Sequence, residues 1–448
     1  MAVPSRSDRV DPSRSDRVEL SPGDEIELVA GEVAQGGWCV ARLDGSGPVV
    51  FIRHTLPGER VRARITEVTS RFARADAVQI LTPAPGRVEP PCPYAHPGGC
   101  GGCDWQHAAL PTQRELKAAV VAQQLRRIAS IDWPVTVEAL PSDQPGDLEP
   151  GLGWRTRVTF AVRPDGLAGL RAHRSHHVVP IDDCLIAHPR IRDLGVTGRR
   201  WPRARSVEAA TGTGGPERAV IVTGGRPPTG RDEIGAEAVL GQVRGRTTVF
   251  RGRPYLTQRA AGRTWRVSAG GFWQVHPALA DTLVAAVLEA LEPQPGDTAL
   301  DLYCGAGLFT GVLAAAVGPD GSVAGVEADR TAVRDARRNL RETPWATVYQ
   351  GDAGRVLAQH EADLPPARLT VLDPPRTGLA RDVIDYLNRP APAAGGQRRI
   401  AYVSCDPATL ARDLGLLLPH GWRLTSLRAF DAFPMTHHVE CLATLVTG

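Results

Sequence analysis

The hydrophobic and polar positions of this chain change rhythm twice. From about Glu19 to Leu81 the apolar residues come in short β-branched runs, "DEIELVAGEV", "WCVARLDG", "GPVVFIRHTLPGERVRARITEV" and "RADAVQIL", cut by Gly, Pro and Asp. That texture predicts about five strands in a small barrel, and strand count fits an OB-like and an SH3-like barrel equally. "LPTQRELKAAVVAQQLRRIA" (110–129) then carries apolar residues at helical spacing and predicts one long helix. From about 135 to 265, strands such as "RTRVTFAV", "ERAVIVTG" and "RTTVF" alternate with Gly- and Pro-rich loops, which predicts an α+β region. The last part alternates apolar strands with helical patterns, through "GDTALDLYCGAGLFTGVLAAAV", "SVAGVEADRTAVRDARRNL", "ATVYQGDAGRVL", "RLTVLDPPRTGL" and "RRIAYVSCDPATLARDLGLLL". Such βαβ units build a parallel sheet with helices on both faces, and ligands bind it at the carboxyl ends of the strands.

A chain of 448 residues exceeds one ordinary core, so several domains are expected. Residues 1–19 repeat "PSRSDRV", lack aromatics and read as a disordered tail. No apolar run approaches the ~20 residues that span a bilayer. The N-terminus lacks the apolar stretch of a secretory signal, so a cytoplasmic protein with no membrane partner is expected. There, 8 cysteines point to metal binding or catalysis rather than to disulfides. Net charge is only +3, but Gly151 to Gly270 holds 21 Arg, no Lys and 9 acidic residues, a local +12. That is an electrostatic footprint for nucleic acid, and a solvated arginine-rich surface accounts for it equally well.

Four stretches carry chemistry. "CPYAHPGGCGGCDWQ" (92–106) gathers Cys92, Cys100 and Cys103, which read as a redox pair with a spare, a zinc site or part of an iron–sulfur site. No βαβ context surrounds Cys100 and Cys103, which disfavours a thioredoxin-like pair. In "LDLYCGAG" (300–307), Gly305 and Gly307 let a ligand approach a helix N-terminus. Glu327 ends the next strand, where an acid can accept both ribose hydroxyls, Asp352 ends the third and Asp373 the fourth. Position 310 is Thr, where a dinucleotide fingerprint has its third glycine. Acids on successive strands suit a class I S-adenosylmethionine methyltransferase better. "YVSCDPATLARDL" (402–414) puts Cys405 ahead of a helix that Asp406 caps and Pro407 opens. The helix dipole favours its thiolate, and the Asp406 charge opposes it. Glu440 is a lone acid in the apolar run "FPMTHHVECLATLV", a position that must be paired, used or turned to water at a sheet edge. Cys441 alternates to the other face and is expected in the core.

Taken in order, "CPYAHPGGCGGCDWQ", "GGFWQVHP", "DLYCGAG", "LDPPRTGL" and "YVSCDPATLARDL" make the chain resemble the RNA uridine carbon-5 methyltransferase family. That family makes 5-methyluridine in bacterial tRNA and 23S rRNA. The resemblance implies a TRAM domain, an OB-like RNA-binding barrel, over residues 20–82. It implies a central α+β domain with an iron–sulfur site over 83–265, and a C-terminal α/β Rossmann-like class I methyltransferase over 266–448. It makes Cys405 the nucleophile and Glu440 the proton-abstracting base, and it gives Gln274, Tyr303, Glu327 and Asp373 to the cofactor. It supplies Cys184 as a fourth ligand beside Cys92, Cys100 and Cys103, for a 4Fe-4S cluster. S-adenosylmethionine and RNA are the implied partners, with no obligate protein partner and a monomer expected. Leu308 stands where many members have Asn, so no polar cofactor contact is carried onto it. Asp406 replaces the usual Asn after the nucleophile, which bears on the thiol pKa. A 5-methylcytidine methyltransferase resembles a pattern with a cysteine in the "DPP" stretch, and there is none here. A catalytically silent RNA-binding protein is disfavoured by the presence of Cys405, Glu440 and the cofactor acids.

Overall fold

A computed structural model describes residues 20–43, 47–141, 150–228, 234–360, 364, 367–389 and 396–447. The tail read as disordered lies outside the described residues. One unit ends at Arg87 and a second begins at Val88. Among the described residues no helix is long and apolar enough to cross a membrane.

The first unit holds β1 (Glu25–Val29), β2 (Val33–Ala34), β3 (Trp38–Arg42), β4 (Val49–Arg53), β5 (Arg60–Val68) and β6 (Phe72–Thr82), in the sheet order β1-β5-β6-β4-β3-β2. Alternate residues fill its core, Val50 and Ile52, Val61, Ala63 and Ile65, Ala73, Ala75 and Ala77, as the two-residue period of a strand requires. Gly31 N donates to Val40 O (2.8 Å) and Val40 N to Glu32 O (2.9 Å), so the chain after β1 returns against β3 and the sheet curls into a barrel. A Cβ at Gly31 would lie 2.6 Å from Val40 O, so the closure requires glycine. Buried Glu59 fastens the far end. It accepts from Leu56 N (2.8 Å), Ala84 N (3.1 Å) and Arg87 Nε (2.5 Å). Burial alone would raise its carboxyl, but Arg87 and the two amides hold it below the usual range.

The second unit opens with the cysteine segment and α1 (Leu110–Ala129), the helix that the spacing predicts, followed by β7 (Val137–Ala139). A seven-stranded sheet follows, β8 (Arg157–Val162), β9 (Ala168–Arg171), β10 (Val178–Pro180), β11 (Ser206–Thr211), β12 (Arg218–Thr223), β13 (Ala238–Val243) and β14 (Arg246–Arg251), with the short α2 (Pro189–Arg192) between β10 and β11. Its order is β10-β9-β8-β11-β12-β13-β14. A hairpin, β15 (Tyr255–Ala260) and β16 (Arg263–Ser268), leads to the last region. There α3 (Leu279–Leu291), β17 (Thr298–Leu302), α4 (Leu308–Val317), β18 (Ser322–Glu327), α5 (Arg330–Asn339) and β19 (Ala346–Gln350) come first. Next are α6 (Ala353–Gln359), β20 (Leu369–Leu372), α7 (Arg381–Leu387), β21 (Arg399–Ser404), α8 (Pro407–Leu417), β22 (Trp422–Asp431) and β23 (Glu440–Thr447).

These strands form an eight-stranded sheet, β19-β18-β17-β20-β21-β23-β22-β7. Strands β17 to β21 run parallel, and β23 is antiparallel to both neighbours. Tyr402 packs with α1 and α8 on one face, and Ala401 and Val403 with α3 and α4 on the other. Burial on both faces explains why "RIAYVS" is apolar without alternation. One strand departs from the sequence reading, which began the methyltransferase region at 266. The edge strand is β7, from residues 137–139, paired in parallel with β22 (Ala429↔Val137). Arg428 Nη2 and Glu138 Oε2 pair at 2.8 Å beside it. A bare β22 would present unpaired backbone groups, and β7 covers those of Ala429–Asp431.

Candidate active site

Parallel strands put their carboxyl ends on one rim, and antiparallel β23 starts at that rim. The pairings Leu372↔Tyr402 and Ser404↔Cys441 therefore bring three residues side by side. Asp373 follows β20, Cys405 follows β21, and Glu440 opens β23 across from Cys405. Glu440 is only 4% exposed. It lies on an interior strand, which excludes the water-facing edge as its explanation. Burial, then the Asp373 charge, hold its carboxyl well above the usual range, with Arg376 opposing. Burial, then Glu440, push the Cys405 thiol up to about 11, and Arg376 again opposes. Asp406 caps α8 as predicted, its Oδ1 accepting from Ala408 N and Thr409 N, both at 3.0 Å. Cys441 is fully buried, as expected. Arg376 and His438 escaped the sequence reading although both stand inside the quoted stretches "LDPPRTGL" and "FPMTHHVECLATLV". Arg376 Nη2 lies 3.3 Å from His438 Nε2.

On the other half of the rim the chain turns sharply, with positive φ at Tyr303 (70°), Gly305 (55°) and Gly307 (88°). Gly305 N donates to Glu327 Oε2 (3.0 Å), and Glu327 Oε1 accepts from Asp329 N (2.7 Å). A Cβ at Gly305 would meet nothing within 4 Å, so this side of the turn is open to a ligand. Asp301, absent from the sequence reading, is fully buried at the end of β17. Its Oδ2 accepts from Thr310 Oγ1 (2.6 Å), which gives position 310 its hydroxyl, while among the described residues its Oδ1 has no hydrogen-bond partner. Burial pushes its carboxyl up to about 7, with the Glu327 charge adding to the rise. Half-buried Asp373 is also pushed up to about 7, by burial and then by Asp301. Burial and then Asp352 push Tyr303 up to about 12. Asp352 is exposed and its Oδ1 caps α6 through Arg355 N (3.2 Å), so the residue read as a ligand contact also serves the helix. Gln274 is buried in the loop after β16, and among the described residues its amide makes no hydrogen bond. Its near neighbour Phe272 projects from the same loop, 68% exposed.

Cys92, Cys100, Cys103 and Cys184 line one cavity, with Tyr94, Gln106 and Arg155. Burial pushes the Cys184 thiol up to about 11 and holds Cys103 well above the usual thiol range, and the neighbouring thiols add to both. As they stand, no three His, Cys, Asp or Glu side chains among the described residues are arranged to hold a metal ion. The expected ligands therefore share one cavity without standing at coordinating distances.

The segment after Cys103 grips the loop between β22 and β23, which leads into Glu440. Asp104 N and Trp105 N both donate to Met435 O (3.0 Å), and Met435 N donates to Gln113 Oε1 (2.7 Å). His437 Nδ1 donates to Asp104 Oδ2 (2.6 Å). Fully buried Lys117 on α1 reaches Asp431 Oδ1 (2.5 Å) and Phe433 O (3.0 Å).

Arginines gather on both units. Arg266 Cζ lies 3.7 Å over the Tyr255 ring, Arg253 donates to Tyr255 Oη (3.0 Å), and Arg338 and Arg334 face Arg266. In the first unit Arg74 stacks over Phe72 (4.7 Å) and Trp38 (5.7 Å).

The tRNA (Uracil-5-)-methyltransferase family model matches residues 366–447, which hold Asp373, Cys405 and Glu440. The TRAM domain model matches 21–78. An uncharacterized RNA methyltransferase of Streptomyces coelicolor is 50% identical over 427 residues, 93% of this chain and 91% of that one. The 23S rRNA (uracil(1939)-C(5))-methyltransferase of a Shewanella species is 33% identical, over 89% of this chain and 90% of that one. The solved structure of Pyrococcus abyssi tRNA (uracil-54, C5)-methyltransferase with S-adenosyl-L-homocysteine matches 93% of this chain and 99% of its own, at 25% identity and a TM-score of 0.68.

Proposed function

This chain belongs to the RNA uracil-C5 methyltransferase family of class I, S-adenosylmethionine-dependent enzymes, and from that premise we propose that it methylates carbon 5 of one uridine through a covalent adduct at Cys405. The observation that carries this reading is the register that sets Cys405 across from Glu440, with Asp373 and Arg376 alongside.

The chemistry needs those groups. Uracil carbon 5 is too weak a nucleophile to attack a methyl sulfonium. Addition of the Cys405 thiolate to carbon 6 forms an S–C bond and an enolate that is nucleophilic at carbon 5. Carbon 5 takes the methyl group as the sulfonium bond breaks. Glu440 then takes the carbon-5 proton, the enolate re-forms, and the thiolate leaves carbon 6. A carboxylate held above its usual range is the stronger base for that step. The target base must leave its stack to reach the rim.

S-adenosylmethionine supplies the methyl group when bound. The rim fits it, because the unpartnered Asp301 Oδ1 and the neighbouring Glu327 and Asp373 favour a cationic ligand rich in N–H donors. Tyr303, Gly305, Gly307, Glu327, Asp352, Asp373 and Gln274 would hold it. The four cysteines fit a 4Fe-4S cluster in their donor chemistry and shared cavity, although as they stand they are not grouped to hold a metal ion. There the cluster would clamp the segment that braces the Glu440 loop. The arginines around Tyr255 suit phosphate contacts. The enzyme is read as a cytoplasmic monomer acting on 23S rRNA or tRNA. The TRAM match and the 23S rRNA relative support rRNA, and the matching family model and the Pyrococcus abyssi structure support tRNA.

The test is methylation of total RNA from a strain lacking the gene, with purified protein and labelled methyl donor, followed by mapping of the product nucleotide. Label in one 5-methyluridine is expected. Label in cytidine, or none in RNA, would overturn the reading.

A further inference from the structure

Most of the charged side chains near Cys405 oppose its ionisation. Burial, Glu440 on β23 and Asp373 after β20 raise the thiol, and beside the N-terminus of α8 the one side chain shown lowering it among the described residues is Arg376. Asp406, the α8 cap, adds a further negative charge, and Cys441 is a buried neutral thiol. The cation is therefore central, yet Arg376 is an exposed side chain in the turn after Pro375. A long arginine on a turn samples many rotamers unless something fixes it.

His438 stands where a fixing group is needed, its Nε2 3.3 Å from Arg376 Nη2. A guanidinium has only donors, so this imidazole nitrogen must accept, and only a neutral imidazole can. The surroundings keep it neutral. Its ring centroid lies 4.1 Å from that of His437 and 6.0 Å from that of Phe433. The ionisable groups facing it are His437, Arg376, Asp104 and Lys117. Burial first, then His437 and Arg376, push it down to about 3. The backbone around it is braced, since His438 N donates to Thr436 Oγ1 (3.2 Å) and His437 is tied to Asp104.

We propose that His438 is a positioning residue, whose ring nitrogen accepts from Arg376 and holds the guanidinium against Cys405, so that the attacking thiolate forms beside a fixed cation. The proposal rests on Cys405 being the nucleophile. In it, His438 exchanges no proton and touches no substrate.

The experiment uses the full chain with His438→Ala, His438→Gln, Arg376→Gln and the His438→Ala/Arg376→Gln double variant. Site-resolved alkylation of Cys405 by iodoacetamide is followed against pH without RNA, by mass spectrometry, beside the pH profile of kcat/KM. The His438→Ala midpoint should move up by about one pH unit, which is about tenfold less thiolate at a fixed pH below it. Gln, whose amide oxygen can accept the same bond, should restore most of the shift. Arg376→Gln should shift the midpoint at least as far, and the double variant no further. S-adenosylmethionine binding should not change in any of them. An unshifted His438→Ala profile, a Gln variant as impaired as Ala, or additive single effects would overturn the proposal. Methylation by a Cys405→Ala variant would instead remove the reading beneath it, so the two failures are separable.

Discussion

Cys184 and Cys405 are both held up to about 11 by burial, but their neighbours differ in kind. Around Cys184, Arg155 favours ionisation and the groups that resist it are other thiols, Cys100 and Cys92. Around Cys405 they are carboxylates, Glu440 and Asp373, and one arginine stands against them. Four crowded thiols can ionise together only if a cation joins them, which suits a resident ion. One thiol beside a guanidinium and a basic carboxylate can pass between thiolate and thioether at every turnover. In the proposed reading, the same residue type is set up once for permanence and once for exchange.

That contrast can be broken in several ways. The largest effect belongs to Cys405→Ala, expected to lower methylation by more than about 10⁴-fold with calorimetric binding of S-adenosylmethionine unchanged. Normal turnover would place the chemistry elsewhere. Glu440→Gln is expected to cost about 10²–10⁴-fold and to leave a covalent protein–RNA band on denaturing gels. A slow variant with no such band would deny Glu440 the role of base. Cys103→Ser should strip iron and sulfide from anaerobically purified protein and leave the alkylation profile of Cys405 in place. Zinc in the parent protein would change the ion without changing the contrast, and a metal-free parent would abolish it. Lys117→Met severs the tie between the two regions and leaves buried Asp431 with only the longer Arg114 contact, 4.0 Å away. Denaturant unfolding should show a loss of up to about 3–5 kcal/mol, the usual cost of breaking a buried ion pair. A loss below about 1 kcal/mol would mean that the ion pair contributes no more than a surface one.

pH adds a sign to the comparison. A thiol held at about 11 is mostly protonated at neutral pH, so Cys405 alkylation should rise with pH, near tenfold per unit up to that value. In the first unit the sign is opposite. Glu59 lies below its ordinary value, so its stabilising effect is present above the unfolded carboxylate pKa and is lost as pH falls through the folded one. Acid should therefore loosen the barrel through Glu59 while it merely silences Cys405.

Much of this could be read from the chain because strand ends are marked locally. The helix over 110–129 was legible from its apolar spacing, and Asp406-Pro407 announced both the start of α8 and the position of Cys405. Glu440 stood out because an acid in an apolar run demands a reason. What escaped has no local mark. The two residues of β2 and the three of β7 carry no periodicity. Asp301 looks like one more acid in a Gly-rich motif until its missing partner is seen. Arg376 and His438 are 62 residues apart, and only the return of β23 beside β21 makes them neighbours.

Strand β7 also sets a clock. Glu138 pairs with Arg428, 290 residues later, on the neighbouring strand. At about 5–20 residues per second of synthesis, that gap lasts on the order of 15–60 s. During that time α1 and β7 are finished while most of the surface that buries them has not been made. The eight-stranded sheet is thus begun early and closed last, with the whole central sheet translated in between. A nascent chain stalled before residue 422 would carry that unclosed edge, and its exposed apolar face is where a chaperone would hold it.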